Sequence, residues 1–351
     1  MTVKVSKPAI NVREELADLR KPSGAAGEAM LRADTPQEQF NLIGAGRRNI
    51  LYNGGFTVSQ RGDYTSATAI TNNNYYLDRW NMDFQGINAV IENNTADLPN
   101  GNTVKTAKIR ATGSGTGYMQ IRQKIEVESW MQGREVTLSA WVKSNSSYPR
   151  FRIEGAAIGG NEDGTQTHSG NGQWEFLTFT TTLADGFSFF HAGVVLWNGS
   201  TVAVANNDYM EIAQVQLEVG KVATPFEHRS YGEELAACQR YYEILAAGIN
   251  NSASNTGNLL GNFSQYSSTL AIGIVPYKVT KRAVPTGIVQ GATSFRVYSD
   301  GGNSTATAVN VDGDTSLTKA RIDLTVSRTV GHALWVRGQG NACLIAVDAE
   351  L

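Results

Sequence analysis

The chain has 351 residues, a formal net charge of −2 at pH 7 and 18 % charged residues. This near-neutral balance provides no basic surface for nucleic acid or an anionic membrane, so we expect neither nucleic-acid binding nor membrane insertion. Glycine is abundant, with 36 residues, and long helical periodicities are nearly absent. This combination favours an all-β protein with many turns.

Sequence motifs for catalysis or metal binding are missing. The four histidines have no H-E-x-x-H or C-x-x-C companions, and there is no G-x-S-x-G elbow or P-loop. We therefore expect a protein that is not an enzyme and needs no cofactor or metal. Cys238 and Cys343 lie far apart, which favours buried free thiols over a disulfide framework. The N-terminus lacks the apolar run of a signal peptide, which predicts synthesis in a cytosol.

Residues 1–47 are predicted to form an extended arm. Val12, Leu16 and Leu19 follow helical spacing and predict one short amphipathic helix. A helix this short is marginal alone because its nucleation is costly, and the surrounding Gly-, Pro- and Ala-rich segments cannot form a core. We expect the arm to dock onto a partner subunit or a larger assembly. A self-packed arm is the alternative.

Residues 48–229 are predicted to form a jelly-roll domain. About ten short strands, separated by turn signals such as GSGTG, NEDG and SGNG, favour a jelly-roll or sandwich. The first segment, NILYNGGFTVSQRG, predicts two of these strands. In VTLSAWV, four residues alternate toward the predicted core: Val136, Leu138, Ala140 and Val142.

A joint between two domains is predicted from Tyr209 to Leu245. Its first part alternates like a strand with one face on a core, and the apolar set is Ala213, Val215, Leu217 and Val219. Ser230 and Glu233 then form an S-x-x-E capping box. This box predicts a linker helix within residues 230–250, with one apolar face made of Leu235, Cys238, Tyr242 and Leu245.

The joint residues Phe226, Leu235, Cys238 and Tyr242 are predicted to form an interdomain or oligomer contact. After them, residues 251–351 repeat the β pattern and predict a smaller C-terminal sandwich of roughly six strands. Leu324 and Val326 alternate with Asp323 and Thr325 in one of these strands.

Acidic residues offer two further possibilities. Glu154, Glu162 and Asp163 are candidates for a glycosidase pair, which needs two carboxylates about 5–10 Å apart, although solvated loop carboxylates explain them more simply. Oxygen ligands on turns at residues 161–164 and 312–314 resemble what a calcium ion prefers. Ordinary turn chemistry explains both turns equally well.

Aromatic residues beside polar turns are the remaining candidates for ligand binding, because sugars lie flat on exposed rings. Tyr75 and Tyr76 follow an asparagine turn, and Trp197 precedes Asn198. These four residues are our candidates for a glycan or receptor site. Most other tryptophans are expected in the core, where a large ring buries about 150–250 Å².

Five segments carry a family resemblance: RADTPQEQFNLIGAGRRNILYNGGFTVSQRG, YYLDRW, LSAWVKS, IAQVQLEVGKVATPFEHRSYGEELAACQRYYE and AVDAEL. They resemble a family of bacteriophage tail-fibre and related virion appendage proteins. The resemblance covers the first 245 residues or so, and beyond them only the region around KVTKRAVPT and the last strand. It implies a jelly-roll like a carbohydrate-binding module, carried on a virion-anchoring arm. It also implies a structural, adhesive protein that assembles as a homotrimer.

Composition and resemblance together predict a tail-fibre subunit of the virion, made in the bacterial cytoplasm. Residues 1–47 would bind other virion proteins, and the β domains would contact host-surface polysaccharide. Two alternatives remain open. A capsid decoration or head-fibre protein would share the sandwich and the arm, whereas a polysaccharide-degrading tailspike would be expected to carry a long solenoid repeat, which the chain lacks.

Overall fold

The computed structural model of the chain describes residues 48–155, 160–197, 202–247, 259–299, 302–338 and 343–351. The predicted arm lies outside the described residues, and so do Val12, Leu16 and Leu19. The protein is all-β, as predicted, with a jelly-roll sandwich and a smaller C-terminal β-sandwich joined by a short helix.

The jelly-roll contains thirteen strands within the described ranges. They are β1 (Thr68–Ala69), β2 (Asn74–Tyr75), β3 (Asn81–Gln85), β4 (Ala89–Asp97), β5 (Thr103–Ala111), β6 (Gly115–Glu126), β7 (Glu135–Ser144), β8 (Pro149–Gly155), β9 (Gly160–Thr167), β10 (Trp174–Thr182), β11 (Phe189–Leu196), β12 (Val202–Val204) and β13 (Tyr209–Val219). A 3₁₀ turn, Ser129–Met131, lies between β6 and β7.

Two antiparallel sheets form this sandwich. A six-stranded sheet has the order β1-β4-β5-β13-β7-β10, and a seven-stranded sheet has the order β2-β3-β6-β11-β8-β9 with β12 paired to β6. The core lies between them and includes the fully buried rings of Phe56, Trp80, Phe151 and Phe190. The alternation in VTLSAWV is confirmed, because its four predicted core residues are fully buried.

The joint helix, α1 (Tyr231–Gln239), leads into the C-terminal sandwich. Ten strands make this part: β14 (Tyr242–Ala247), β15 (Leu259–Gln265), β16 (Leu270–Pro276), β17 (Thr286–Gln290), β18 (Phe295–Ser299), β19 (Gly302–Thr305), β20 (Ala308–Val311), β21 (Lys319–Thr325), β22 (Ala333–Gly338) and β23 (Leu344–Asp348). A second 3₁₀ turn, Ala292–Ser294, precedes β18.

These strands form a three-stranded sheet, β14-β23-β17, and a seven-stranded sheet, β19-β18-β22-β15-β16-β21-β20. The predicted alternation of Leu324 and Val326 into the core is confirmed. The predicted number of roughly six strands is too low. Glycines inside LLGNFSQ (β15) and TGIVQ (β17) weaken the strand pattern of these segments, which the sheet nevertheless includes.

The segment NILYNGGFTVSQRG is not a pair of strands, so this prediction is wrong. It runs across the sandwich as an irregular segment with Leu51 and Val58 fully buried. The Asn53 side chain donates to the carbonyls of Val58 and Asp78 at 2.8 and 3.0 Å. Asparagine amides thus satisfy backbone groups that a sheet would otherwise pair.

A β-bulge changes the predicted alternation of β13. The register shifts between Ala213 and Gln216, and Gln214 has a φ of 53°, in the left-handed region. Val215 and Leu217 point into the core as predicted, but Ala213 pairs with Trp141 on the opposite face. Because the bulge adds one residue, the side chains of β13 before it point to the opposite face from the one that strict alternation predicts.

The predicted capping box of α1 is confirmed, because Ser230 and Glu233 hydrogen-bond each other's backbone amides. The predicted helical face is wrong in its second half. The helix ends at Gln239, and Tyr242 and Leu245 lie in β14, which pairs with β23. Aromatic and β-branched residues in YYEIL favour this sheet pairing over a longer helix.

Cys238 and Cys343 are buried thiols that form no disulfide, as predicted. Burial raises the pKa of both thiols, which keeps them protonated. A search of the described residues finds no helix that is both long and apolar enough to cross a membrane.

Candidate functional site: the polar face of the seven-stranded sheet

The outer side of the jelly-roll's seven-stranded sheet carries an unusual set of charged and aromatic side chains. In β6, Met119 and Ile121 point into the core, so Tyr118, Gln120 and Arg122 point outward. The same alternation in β3, β8 and β11 turns other polar residues outward. We call the following set the polar face: Asn81, Asp83, Tyr118, Gln120, Arg122, Arg152, Glu154, Asp163, His191, Gly193 and Trp197.

The strand register aligns part of this set in one row. Asn81 of β3 pairs with Arg122 of β6, and Arg122 pairs with Gly193 of β11. Gly193 also pairs with Arg152 of β8, which pairs with Asp163 of β9. Directly opposed residues in antiparallel strands present their side chains on the same side of the sheet. The row therefore crosses five strands with glycine at its centre.

Gly193 leaves the centre of the row without a side chain. A Cβ atom at this position would lie 2.0 Å from the carbonyl oxygen of Ile121 and 2.7 Å from Cα of Arg122. Glycine is therefore required for the close approach of β11 and β6. The bare backbone forms a floor, and the guanidinium groups of Arg122 and Arg152 come from the strands on either side.

Carboxylates hold both guanidinium groups in place. Arg122 Nη1 lies 2.8 Å from Asp83 Oδ2 and 3.0 Å from Glu154 Oε1. Arg152 donates through Nε and Nη2 to the two oxygens of Asp163 at 2.6 and 2.9 Å. Such charge-assisted, forked contacts fix the plane of the arginine side chain as well as its position.

Each of these arginines also keeps an unused donor group. The hydrogen bonds of Arg122 run through Nε and Nη1, and those of Arg152 run through Nε and Nη2. Within the described ranges, Nη2 of Arg122 and Nη1 of Arg152 carry no hydrogen bond. The polar face thus presents two oriented donors beside carboxylate acceptors, flanking a bare floor.

Two aromatic side chains border the face. The rings of Tyr118 and Trp197 meet edge to face, with centroids 5.9 Å apart and an interplanar angle of 84°. The guanidinium carbon of Arg152 lies 5.5 Å from the centroid of the Trp197 ring. The Tyr118 hydroxyl lies 3.3 Å from both carboxylate oxygens of Asp83. The predicted candidate Trp197 therefore lies at the border of the polar face.

Partial burial shifts the protonation equilibria of the face. Desolvation, together with the positive charge of Arg122, lowers the pKa of His191 to about 4, so this imidazole is neutral at pH 7. Desolvation raises the pKa of the Asp83 carboxyl, and the neighbouring Arg122 partly opposes this effect. Desolvation followed by the charge of Asp83 raises the pKa of Tyr118.

The other predicted aromatic candidates serve the interior. Tyr76 packs against the core and edge-on to Tyr64, with centroids 5.8 Å apart, and its hydroxyl accepts a hydrogen bond from the Thr71 amide. Tyr75 pairs with Asn81 at the end of the row, but the Arg61 guanidinium lies over its ring at 5.2 Å. Asn198 lies outside the described residues.

The structure shows the surroundings of some of the candidate residues for a glycosidase pair and for a calcium site. Glu154 and Asp163 belong to the polar face, where each is paired with an arginine. Asp312 and Asp314 both contact Arg321 Nη1, at 3.6 and 2.5 Å, so an internal cation occupies that turn. In the described part of the chain, no group of three or more His, Cys, Asp or Glu side chains is arranged to hold a metal ion.

The predicted contact residues of the joint differ in burial. Cys238 and Tyr242 are buried, and the Arg61 guanidinium stacks on the Tyr242 ring at 3.8 Å. Phe226 and Leu235 are only half-buried. Phe226 packs edge-on to His228, with ring centroids 5.1 Å apart.

Arginines of the jelly-roll also tie it to the end of the chain. Arg61 contacts Asp348 at 3.1 Å and Glu350 at 3.2 Å, and the buried Arg79 pairs with Glu350. Arg79 additionally stacks on the Tyr241 ring at 3.6 Å. These arginines supply direct ion pairs between the two sandwiches.

Local sequence patterns indicate Trp197, Glu154 and Asp163 as candidates, but they do not indicate the two central arginines. A usable signal exists in YMQIRQKIEVE and RFRIEG, where charged residues occupy every second position of otherwise apolar strands. Such alternation predicts one charged face. It does not predict that the charged faces of β6 and β8 lie on the same side of one sheet, with only β11 between the two strands.

Comparisons with known proteins give only distant likenesses. No protein-family model and no curated protein matches the sequence. Among solved structures, the chain resembles the enzymatically active domain of tailspike protein 4 of bacteriophage CBA120, with a TM-score of 0.31 and 14 % identity over 49 % of this chain. The match covers 21 % of that protein, so the chain corresponds to about a fifth of its length.

Two carbohydrate-binding modules give similar values. One is TmCBM61 in complex with β-1,4-galactotriose, with a TM-score of 0.31 and 12 % identity over 49 % of this chain and 99 % of that one. The other is the family 11 module of the cellulase Lic26A-Cel5E of Clostridium thermocellum, with a TM-score of 0.27 and 13 % identity over 46 % of this chain and 99 % of that one. At these scores the likeness carries no weight for function.

Proposed function

We propose that the chain is a non-enzymatic subunit of a bacteriophage tail fibre that binds host-surface glycans through its polar face. The observation that carries this proposal is the pair of oriented, unused donor groups on Arg122 and Arg152, which flank the bare backbone of Gly193. Sugar hydroxyls accept from such donors and donate to neighbouring carboxylates such as Glu154. The Trp197 ring adds an apolar surface for the C–H face of a sugar.

The arrangement suits weak adhesion that becomes strong through multiplicity. Each site offers only a few hydrogen bonds. Several copies on one particle raise the overall avidity by about 10²–10⁴ without any new contact. Assembly as a homotrimer, anchored to other virion proteins through residues 1–47, would supply those copies, and the family resemblance supports both parts of this proposal.

Single substitutions on the polar face test the binding proposal. Arg122→Lys keeps the positive charge but loses the planar fork, and Trp197→Ala removes the apolar border. We expect each to weaken binding of the full chain to an array of bacterial surface polysaccharides about tenfold or more, because a hydrogen bond involving a charged group contributes about 1.5–3 kcal/mol.

Two matched controls lie in the C-terminal sandwich. Arg321 is ion-paired with three aspartates, and Trp335 is half-exposed. Arg321→Lys and Trp335→Ala should bind the array like the wild type. Equal losses in all four variants, or full binding by both polar-face variants, would refute the assignment of the glycan site.

Anchoring by residues 1–47 requires a separate experiment. A chain that begins at residue 48 keeps all the described β structure, so we expect it to fold and to bind the glycan array. It should be missing from purified particles when it replaces the full chain. Truncated protein at normal copy number in particles would contradict the proposed role of the arm.

A glycan-degrading tailspike is the second candidate, and one observation favours it. Asp83 and Glu154 both contact Arg122 Nη1, which brings together two carboxylates, the groups that glycoside hydrolysis uses. Incubation of the chain with polysaccharides retained by the array distinguishes the two functions. If the wild type releases oligosaccharides and Glu154→Gln does not, the chain is an enzyme and not an adhesin.

A further inference from the structure

A second cavity lies away from the polar face, where the joint meets the jelly-roll. It has a volume of about 240 Å³ and is bounded by four parts of the chain, one of which contributes the buried Arg79. The irregular segment contributes Ile50 and Tyr52, the end of β6 and the following turn contribute Ile125 and Trp130, and the joint contributes Arg240. We call it the joint cavity.

The inner wall of the joint cavity combines apolar and aromatic side chains with the buried polar residues Asn49, Arg79 and Gln123. Ile125 and Met131 are buried at its base, and the rings of Tyr52 and Tyr241 lie with centroids 6.0 Å apart. Trp130 stands at the mouth and is 50 % exposed. An exposed indole beside an apolar base offers a flat surface to a ring-shaped ligand.

The Trp130 ring is held in position rather than left free. Its indole nitrogen donates to Glu128 Oε2 at 2.8 Å, and the 3₁₀ turn Ser129–Met131 fixes its backbone. A ring oriented before binding loses less conformational entropy when the ligand arrives.

The polar groups at the rim are of both signs. Arg240 Nη2 lies 3.9 Å from Glu126 Oε2, and both side chains are more than a third exposed. A pair this long and this exposed contributes little to stability, so the Arg240 guanidinium is available to a ligand. Glu126 also accepts from Arg282 at 3.1 Å and from the Tyr241 hydroxyl at 3.3 Å, and the buried Arg79 deeper in the cavity is paired with Glu350.

We propose that the joint cavity binds one neutral sugar ring, at a site separate from the polar face. The volume is just below the range of about 300–1,000 Å³ that accommodates drug-sized ligands, which fits a single pyranose. Its C–H face would lie on Trp130, and its hydroxyls would contact Glu126, Glu128 and Arg240. Most charges of the lining are balanced within the protein, because Arg79 is paired with Glu350, Arg229 with Glu227 and Glu126 with Arg282, and this balance suits a neutral sugar.

Binding in this place would tie the two sandwiches together. Trp130 and Glu126 belong to the jelly-roll, whereas Arg240 lies at the end of α1, directly before the first strand of the C-terminal sandwich. A ligand that contacts both parts binds the folded joint and not the unfolded chain. It therefore raises the thermal unfolding temperature in a concentration-dependent way.

The test uses the full chain and the methyl α- and β-pyranosides of glucose, galactose, mannose and N-acetylglucosamine. Thermal unfolding and tryptophan fluorescence are recorded during each titration. At least one of these sugars should raise the unfolding temperature with a Kd of about 1 mM, the range expected for a ligand of this size.

Matched variants locate the site. Trp130→Ala should weaken sugar binding at least tenfold, and Arg240→Ala should weaken it several-fold. Trp335 is 49 % exposed, almost the same as Trp130, so Trp335→Ala is the control and should retain binding. Arg122→Lys should also retain it, because the joint cavity is independent of the polar face.

Three results would overturn the proposal. The first is no response to any of the eight neutral glycosides at concentrations about tenfold above the expected Kd. The second is wild-type affinity in Trp130→Ala. The third is loss of the monosaccharide response in Arg122→Lys with retention in Trp130→Ala, which would assign the sugar to the polar face instead.

Discussion

The polar face and the contact between the two sandwiches use the same chemical groups in different surroundings. Between the sandwiches, Arg79 is 1 % exposed and pairs with Glu350, which is 5 % exposed and 271 residues away in sequence. On the polar face, Arg122 is 13 % exposed and pairs with Glu154, which is 15 % exposed and 32 residues away.

The other contacts of each arginine show how the two ion pairs differ in role. Arg79 stacks on Tyr241 and donates to the Lys124 carbonyl at 2.6 Å, and its one group without a hydrogen bond among the described residues, Nε, is buried away from solvent. Arg122 and Arg152 retain an unused donor group each. The same ion pair therefore holds two sandwiches together where it is enclosed, and presents oriented donors where solvent still reaches it.

Breaking an enclosed pair should have the largest effect. Near the same contact, Lys281 and Glu243 form an ion pair in which both side chains are almost fully buried. Lys281→Ala leaves the Glu243 carboxylate buried without its partner, which costs about 3–5 kcal/mol of unfolding free energy. Urea denaturation measures this loss, and Lys278→Ala, at an exposed lysine nearby, should change stability little.

A double substitution sharpens this result. Glu243→Gln combined with Lys281→Met removes both charges, so most of the penalty of an unpaired buried charge should disappear. The double variant should be more stable than Lys281→Ala. If it is equally unstable, the cost comes from lost packing, and the enclosed pair is not what distinguishes this contact from the polar face.

Because His191 on the polar face is partly buried, we expect the stability of the protein to depend on pH. His191 has a pKa of about 4 in the folded protein and about 6.5 when unfolded. The unfolded state therefore binds more protons between pH 6.5 and 4, and stability falls as the pH falls through this window. The loss is at most about 3 kcal/mol.

His191→Gln removes this proton linkage, so the variant should lose less stability than the wild type between pH 6.5 and 4. Urea denaturation at four or five pH values across the window measures the difference. The control is His228→Gln, the same substitution at an exposed histidine outside the polar face. An unchanged slope in His191→Gln would show that the face is more hydrated than its geometry indicates.

The cap of α1 should have the smallest effect. Ser230→Ala removes the side chain that accepts from the Glu233 amide, at a cost of about 1 kcal/mol. Ser230→Asp retains a capping oxygen and should be close to the wild type. A loss as large as that of Lys281→Ala would mean that the helix end, rather than the ion pairs, controls the joint.

The sequence predicted those features that depend on neighbours along the chain. The core residues of β7 and the Ser230–Glu233 box follow from local spacing, and both are confirmed. The bulge at Gln214 and the end of α1 at Gln239 depend on pairing with distant segments. Val215, for example, donates to the Gly54 carbonyl at 2.9 Å, and no local pattern indicates this contact.

The candidate site was harder to predict for the same reason. Arg122 and Arg152 lie in the same row only because β11 lies between β6 and β8, where Gly193 pairs with both arginines. Strand order and register set this arrangement, and neither is written in the spacing of residues along one strand. Trp197 was found because a tryptophan beside a polar turn is a local signal.

The structure of a complex tests the central claim most directly. Crystals of the full chain soaked with the oligosaccharide that the array identifies would show where the glycan lies. We predict a sugar ring above Gly193, with its hydroxyls within hydrogen-bonding distance of Nη2 of Arg122 and Nη1 of Arg152. A bound glycan that contacts neither arginine, with the polar face empty, would contradict the proposed function.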